Sequence, residues 1–138
     1  MLTKQQRDNW SHALRHGGLE QGTAALCNFN SYAQEAHEYC CLGVYCHAVL
    51  DIPNDDLIGY GLTKTLAFSV MKSEANTKIK AGQDFGLALD SYTFKFYQSM
   101  GMYHTVKGEN AFAHMNDGIK WSFNRIANVI DALPVREQ

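Results

Sequence analysis

The centre of the chain reads YCCLGVYCH from Tyr39 to His47, and this segment holds three of the four cysteines. Its apolar residues recur at helical spacing, and Asp51-Ile52-Pro53 ends the pattern because proline disfavours helical geometry in the preceding residue. We therefore predict a central helix from Cys40 to Leu50. A cysteine that begins such a helix is either inert core packing or a nucleophile, since a helix N-terminus favours the thiolate.

Composition predicts one domain that covers residues 1–138. The chain has 138 residues and is 46% hydrophobic, enough to bury about two thirds of its unfolded surface. Its 12 basic and 14 acidic residues are mixed and give a net charge of −2, so nucleic acid is not the expected partner. The polar start and the lack of an apolar run near about 20 residues predict no export signal and no membrane partner. We expect a cytoplasmic protein with reduced cysteines.

The flanking segments predict the other elements. A helix is expected over Lys4–His16. The alternating stretches Ser91–Tyr97 and Tyr103–Lys107, on either side of a Met-Gly-Met turn, predict an antiparallel hairpin. Two short helices are expected over Asn110–Asn116 and Ser122–Leu133. The predicted fold class is α+β: a single compact domain, with the central cysteine helix packed on a small antiparallel sheet and a C-terminal helical pair.

Three other segments have weaker patterns. Residues Gln21–Asn30 contain Leu26-Cys27 and are predicted as a strand, whereas the polar residues Ser31–Glu38 are predicted as a loop or a helical turn. Between the central helix and the hairpin, Leu62–Lys80 is predicted as a helix and Phe85–Leu89 as a strand.

Several short motifs are shared with a family of small tailed-phage proteins that carry ALRSG, CCLGV and LND boxes. The corresponding segments here are Trp10–Arg15, Gly18–Gly22, Tyr39–Cys46, Met115–Asp117 and Phe123–Ile130. The chain resembles this family over about half its length, with His16 where serine is usual and Met115 where leucine is usual. The resemblance implies phage origin and expression in the cytoplasm of the infected bacterial host. It implies an accessory protein that acts on host machinery or host defence, and no particular reaction.

A loop that leads into cysteine, any residue, glycine and an apolar helix is also similar to the nucleophile turn of papain-like enzymes. In that register Cys41 is the nucleophile, and His104, on a later predicted strand, is the candidate base. Asn116 or Asp117 would orient the imidazole. Cys41, His104 and Asn116 therefore form the candidate triad of a cysteine-dependent hydrolase or transferase, with core packing of the cysteines as the competing interpretation.

The cysteines do not predict a metal site. Cys41 and Cys46 are five residues apart on a helix, so their side chains point about 140° apart, and closed zinc sites use other spacings. No metal and no cofactor are expected.

Three residues are candidate binding residues. Arg15 could bind a carboxylate or phosphate, or it could pair with Glu20 or a helix end. Strand alternation places Tyr97 opposite the face that carries Phe94 and Phe96, so Tyr97 and Tyr103 form a candidate partner surface if that face is exposed.

Three functions follow, in order of preference. The first is a phage-encoded accessory protein that binds and modulates a host component, a host-defence factor for example, without catalysis. The second is the cysteine-dependent enzyme. The third is a sponge for a small molecule or nucleotide signal, with Arg15 and the aromatic residues as contacts.

Overall fold

The computed structural model describes residues 1–23, 26–30, 36–57, 89 and 91–136. The predicted helix Leu62–Lys80 and the predicted strand Phe85–Leu89, except Leu89 itself, lie outside the described residues. The helices and strands within the described part are α1 (Lys4–His16), β1 (Glu20–Gln21), β2 (Cys27–Asn30), β3 (Ala36–Tyr39), α2 (Cys41–Val44), α3 (Asn54–Leu57), β4 (Thr93–Ser99), β5 (Met102–Lys107), α4 (Gly108–Ala113) and α5 (Phe123–Asp131). The fold class is α+β, as predicted.

Helix α1 has the predicted bounds because both of its ends carry clear signals. The Thr3 side chain accepts a hydrogen bond from the Gln6 N–H, and the Gln6 side chain returns one to the Thr3 backbone, which completes a capping box. Its apolar face buries Trp10, Ala13 and Leu14. Helix α1 packs mainly against α5.

Strands β1, β3 and β2 form a three-stranded sheet in that order. Strand β2 pairs with β3 in antiparallel fashion, and the two-residue β1 joins β3 in parallel. The prediction of a loop or helical turn over Ser31–Glu38 was therefore wrong for Ala36–Glu38. Pairing with strands on both sides stabilises β3, and its own polar sequence, AHEY, does not reveal this.

Strands β4 and β5 form the predicted antiparallel hairpin, with Phe96 opposite His104 and Tyr97 opposite Tyr103. Met100 and Gly101 make the two-residue turn, and both have positive φ, at 53° and 75°. Positive φ at both central residues is typical of a type I′ turn, whose twist matches that of paired strands. A bulge between Tyr97 and Ser99 follows from one unpaired residue, Gln98.

The central cysteine helix begins at Cys41 as α2 and continues as a π-helical turn over Tyr45–Val49. Helix α4 does the same, with a π-helical turn over His114–Gly118. The sequence predicted one regular helix in each place. The second residue after each π turn has a positive φ: Asp51 at 58° and Lys120 at 54°.

The buried apolar residues form one core around Trp10, which contacts Tyr45 with ring centres 5.0 Å apart and Phe112 with ring centres 4.9 Å apart. Helix α2 packs on α4, α1 and β3. The Tyr92 hydroxyl accepts a hydrogen bond from Leu2 N–H and donates one to the Pro134 carbonyl, which ties both ends of the described chain to the hairpin. No helix in the described part is long and apolar enough to cross a membrane.

Candidate functional site

Helix α2 begins with an unusual set of caps. Cys40 is the N-cap residue, and its Sγ accepts a hydrogen bond from the Gly43 N–H at 3.4 Å. The Cys41 N–H, one of the donors that a helix start leaves without an intrahelical partner, donates to Asn116 Oδ1 at 3.1 Å. The start of α2 is thus capped by a thiol from its own segment and an amide from the π turn after α4.

Asn116 is fully buried and makes four hydrogen bonds. Its Oδ1 accepts from Cys41 N–H and from Gln21 Nε2, while its Nδ2 donates to the Gly22 carbonyl and to Asp117 Oδ1. A side-chain amide has two donor hydrogens and two acceptor lone pairs. These partners, which we call the Asn116 network, therefore use its full hydrogen-bonding capacity.

The thiol of Cys41 is fully buried and donates to the Phe112 carbonyl at 3.3 Å. Burial raises the pKa of Cys41 well above its ordinary value, and the adjacent Cys40 adds to the shift. Burial likewise raises the pKa of Cys40 to about 12. A helix N-terminus stabilises an anion by at most about 2 kcal/mol. Full burial can disfavour the ionised form by up to about 7 kcal/mol, so burial determines the direction of the shift.

Gly43 lies where α2 approaches the backbone that leads into β2. A Cβ on Gly43 would lie 1.7 Å from the Leu26 carbonyl oxygen, closer than any contact that packing allows. The absence of a side chain at Gly43 thus allows α2 to lie directly against the Leu26 backbone. Helix α1 contacts α2 through Trp10, whose Nε1 donates to the Cys41 carbonyl at 2.9 Å.

His104, the candidate base, lies on β5 and faces the core side of the hairpin. Its ring contacts those of Phe96 and His114, with ring centres 5.9 Å and 5.7 Å away. Its Nδ1 is buried and has no hydrogen-bond partner among the described residues. The structure brings Asn116 to Cys41, but it does so through the Cys41 backbone, and the Asn116 amide is occupied by partners other than His104.

The Arg15 side chain binds two residues of α5. Its guanidinium pairs with Asp131 at 2.5 Å and donates to Asn128 Oδ1 at 2.5 Å. These partners are side chains of α5, rather than Glu20 or the backbone carbonyls at the end of α1. Arg15 therefore links α1 to α5 through a charge-assisted hydrogen bond and an ion pair.

The hairpin ends in a group of exposed apolar side chains, which we call the hairpin tip: Tyr97, Met100, Met102 and Tyr103. Their exposed fractions are 62%, 93%, 61% and 62%. Tyr97 and Tyr103 lie on the outer face and Met100 lies in the turn, whereas strand alternation places Met102 on the opposite face. The rings of Tyr97 and Tyr103 meet edge to face with centres 5.5 Å apart. The predicted alternation is correct, since Tyr92 and Phe96 are buried on the opposite face.

Met100 is the least expected member of this surface. It has a φ of 53°, a left-handed conformation that costs residues other than Gly, Asn and Asp about 1–2 kcal/mol. The first central position of a type I′ turn ordinarily carries Asn, Asp or Gly. Met100 is also 93% exposed, so burial in this chain does not offset that cost.

The hairpin carries positive charge. The exposed outer face continues from the tip through Lys95 and Thr105 to Thr93 and Lys107. No Asp or Glu occurs between Thr93 and Lys107. The tip is therefore an apolar surface on a cationic hairpin.

Sequence reasoning identified Tyr97 and Tyr103 but not the two methionines beside them. The signal was present, because a Met-Gly-Met turn between two β-forming segments must place at least one methionine outside the pairing. The sequence also did not indicate a role for Gln21, whose side-chain amide donates to Asn116 Oδ1 and to the Trp121 carbonyl.

Comparison with known proteins gives one result. A family model described as a domain of unknown function, DUF8296, matches residues 2–133. No curated protein and no solved structure is detectably similar to this chain.

Proposed function

We propose that this chain, which belongs to the DUF8296 family, a domain of unknown function, is a binding protein that uses its hairpin tip to engage a protein partner and modulate it without catalysis. The observation that carries the proposal is the tip itself. Four large apolar side chains are exposed at the end of the hairpin, where Tyr97 and Tyr103 form a cross-strand pair, and aromatic and methionine side chains are enriched at protein interfaces. A methionine in a conformation that disfavours it adds to the case, since strain of this kind occurs at functional sites.

The chemistry of the hairpin specifies the partner surface. The Met100 side chain in the turn and the paired tyrosines on the adjoining strands form a narrow projection that fits an apolar pocket, and tyrosines in such pockets contribute strongly to binding energy. Lys95 and Lys107 lie on the same outer face of the hairpin as Tyr97 and Tyr103 and have no acidic neighbour between Thr93 and Lys107. We therefore propose a partner with an apolar pocket bordered by acidic residues.

The resemblance to small tailed-phage proteins supports the choice of a host component, a host-defence factor for example, and of the infected bacterial cytoplasm as the place of action. The proposal assigns no reaction to Cys41. A nucleophilic thiol needs access and a lowered pKa, whereas burial raises the pKa of Cys41 and the Asn116 amide has no free hydrogen-bonding position for His104.

The test is a quantitative comparison of captured host proteins. The wild type, Tyr97→Ser/Tyr103→Ser, and the control Thr93→Ala/Thr105→Ala are expressed in the bacterial host at equal levels. We expect one host protein to be captured by both the wild type and the control variant. The tyrosine variant should not capture it. Its affinity for the purified wild type should then exceed that for the tyrosine variant by at least about 30-fold, which corresponds to about 2 kcal/mol. Equal affinity for both would overturn the proposal.

A further inference from the structure

We infer that His12 and His16 form a surface site for a divalent transition metal ion of the Zn²⁺, Ni²⁺ and Cu²⁺ class. The two residues lie one helical turn apart in α1, and both side chains are exposed. Histidines at positions i and i+4 share one face of a helix, which is the spacing by which a helix presents two imidazoles to one ion. This inference is independent of the hairpin and of the proposed function.

The ring separation fits one ion between the two imidazoles. Zinc lies about 2.0–2.1 Å from an imidazole nitrogen, hence about 3.2 Å from the ring centre, and a tetrahedral angle then places two ring centres about 5.2 Å apart. The ring centres of His12 and His16 are 5.2 Å apart. Among the described residues, His104 and His114 also lie close together, with ring centres 5.7 Å apart, and both of their rings pack on Phe96.

The position in the helix also favours a cation. His16 is the last residue of the 13-residue α1, where the helix dipole and the unpaired carbonyl groups carry partial negative charge. The positive charge nearest in sequence, on Arg15, is paired with Asp131. An exposed pair binds metal without the desolvation that burial would impose.

Within the described part of the chain, no group of three or more His, Cys, Asp or Glu side chains is arranged around an ion. The proposed site therefore has two protein ligands, and water or a small anion fills the remaining positions. Imidazole ligands suit this class of metals, whereas Mg²⁺ and Ca²⁺ prefer oxygen. We expect no binding of either of those two ions at the pair.

The test uses Zn²⁺ added to the reduced full-length protein, with calorimetry for affinity and amide NMR shifts for location. We expect one site, with shifts centred on residues 12–17. His12→Gln and His16→Gln should each weaken binding about tenfold or more, because the second imidazole binds intramolecularly at high effective concentration.

The control is Gln5→His/His16→Gln, which keeps six histidines but places two of them seven residues apart on α1, about 10.5 Å along the helix. It should bind as weakly as His16→Gln. All substituted positions are exposed, and metal-free thermal unfolding verifies that each variant is folded. Unchanged affinity in both single variants, or shifts centred on His104 and His114, would overturn the inference.

Discussion

The side-chain oxygen of Asn116 accepts a hydrogen bond from the backbone N–H of Cys41 at 3.1 Å, across 75 positions of sequence. This bond joins the two most distinctive motifs of the chain, the cysteine box and the Met115-Asn116-Asp117 box. Both motifs thereby acquire a structural explanation: one begins a buried helix, and the other caps it.

Replacement of Asn116 by alanine should destabilise the fold without direct effect on the hairpin tip. The change leaves the buried Cys41 N–H and Gly22 carbonyl without their partner, and each such group costs about 1–3 kcal/mol. We expect a loss of about 2–4 kcal/mol in the free energy of unfolding, measured by urea denaturation. The exposed Asn124, also an asparagine, serves as control, and Asn124→Ala should change stability by less than about 0.5 kcal/mol. Equal stability of the two variants would contradict a capping role.

The buried thiols should make the protein less stable at alkaline pH. An unfolded cysteine ionises near pH 9, whereas burial raises the pKa of Cys40 to about 12 and that of Cys46 further. The unfolded state therefore loses protons that the native state keeps, so stability is full below about pH 8.5 and falls as pH rises above it. Each thiol contributes up to about 1.4 kcal/mol per pH unit in this window.

Urea denaturation in reducing buffer at pH 7.5, 9 and 10 checks this expectation. Burial also raises the pKa values of Tyr39, Tyr45 and Tyr92, so these residues lower stability in the same direction once the unfolded tyrosines ionise near pH 10. The change between pH 7.5 and 9 therefore reports mainly the thiols. Cys46→Ala should lower stability at pH 7.5 and reduce its pH dependence. A flat profile up to pH 10, or rapid iodoacetamide labelling of native Cys41 near neutral pH, would contradict the burial of these thiols and revive the nucleophile hypothesis.

Met100→Asn should separate stability from binding. Asparagine tolerates positive φ and is favoured in type I′ turns, so the variant should be about 0.5–1 kcal/mol more stable to urea. Removal of the Met100 side chain from the hairpin tip should weaken partner binding at the same time. A variant that gains stability and keeps full affinity would exclude Met100 from the interface.

The charges on the hairpin should affect the rate of association more than the rate of dissociation. Lys95→Glu/Lys107→Glu reverses both exposed cations on the outer face of the hairpin, and rim charges act mainly through electrostatic steering. We expect a slower association rate constant and a loss of its salt dependence, measured by surface plasmon resonance with the purified partner. Lys4→Glu, a change of the same kind on α1, is the control. Faster association of the doubly reversed variant would mean that the partner surface is not acidic.

Much of the fold could be predicted because the local signals agree with the tertiary structure. The Thr3 cap and the glycines after His16 define α1, and the alternation around Phe94 and Phe96 defines the hairpin. Strand β3 could not be predicted, since the pairing with β1 and β2 that stabilises it is non-local. The π-helical turns over Tyr45–Val49 and His114–Gly118 were also missed, because their extra residue is accommodated by tertiary contacts rather than by propensity.

The candidate site was predictable in part. The exposure of Tyr97 and Tyr103 follows from strand alternation, a property of local geometry. The partners of Asn116 come from segments up to 95 residues away, and no periodicity reveals them. Arg15 left two interpretations open, and only its contact with Asp131 shows how the side chain is used.

The central claim, that the hairpin tip binds a protein partner, is tested most directly by photo-crosslinking from within the tip. A benzophenone amino acid at position 102 should give one discrete adduct in the cytoplasm of the bacterial host. The same group at the exposed position 105, on the same strand but away from the tip, should give little or none. The adduct should disappear when Tyr97→Ser and Tyr103→Ser are added. No adduct from position 102, or one that persists in the tyrosine variant, would contradict the account.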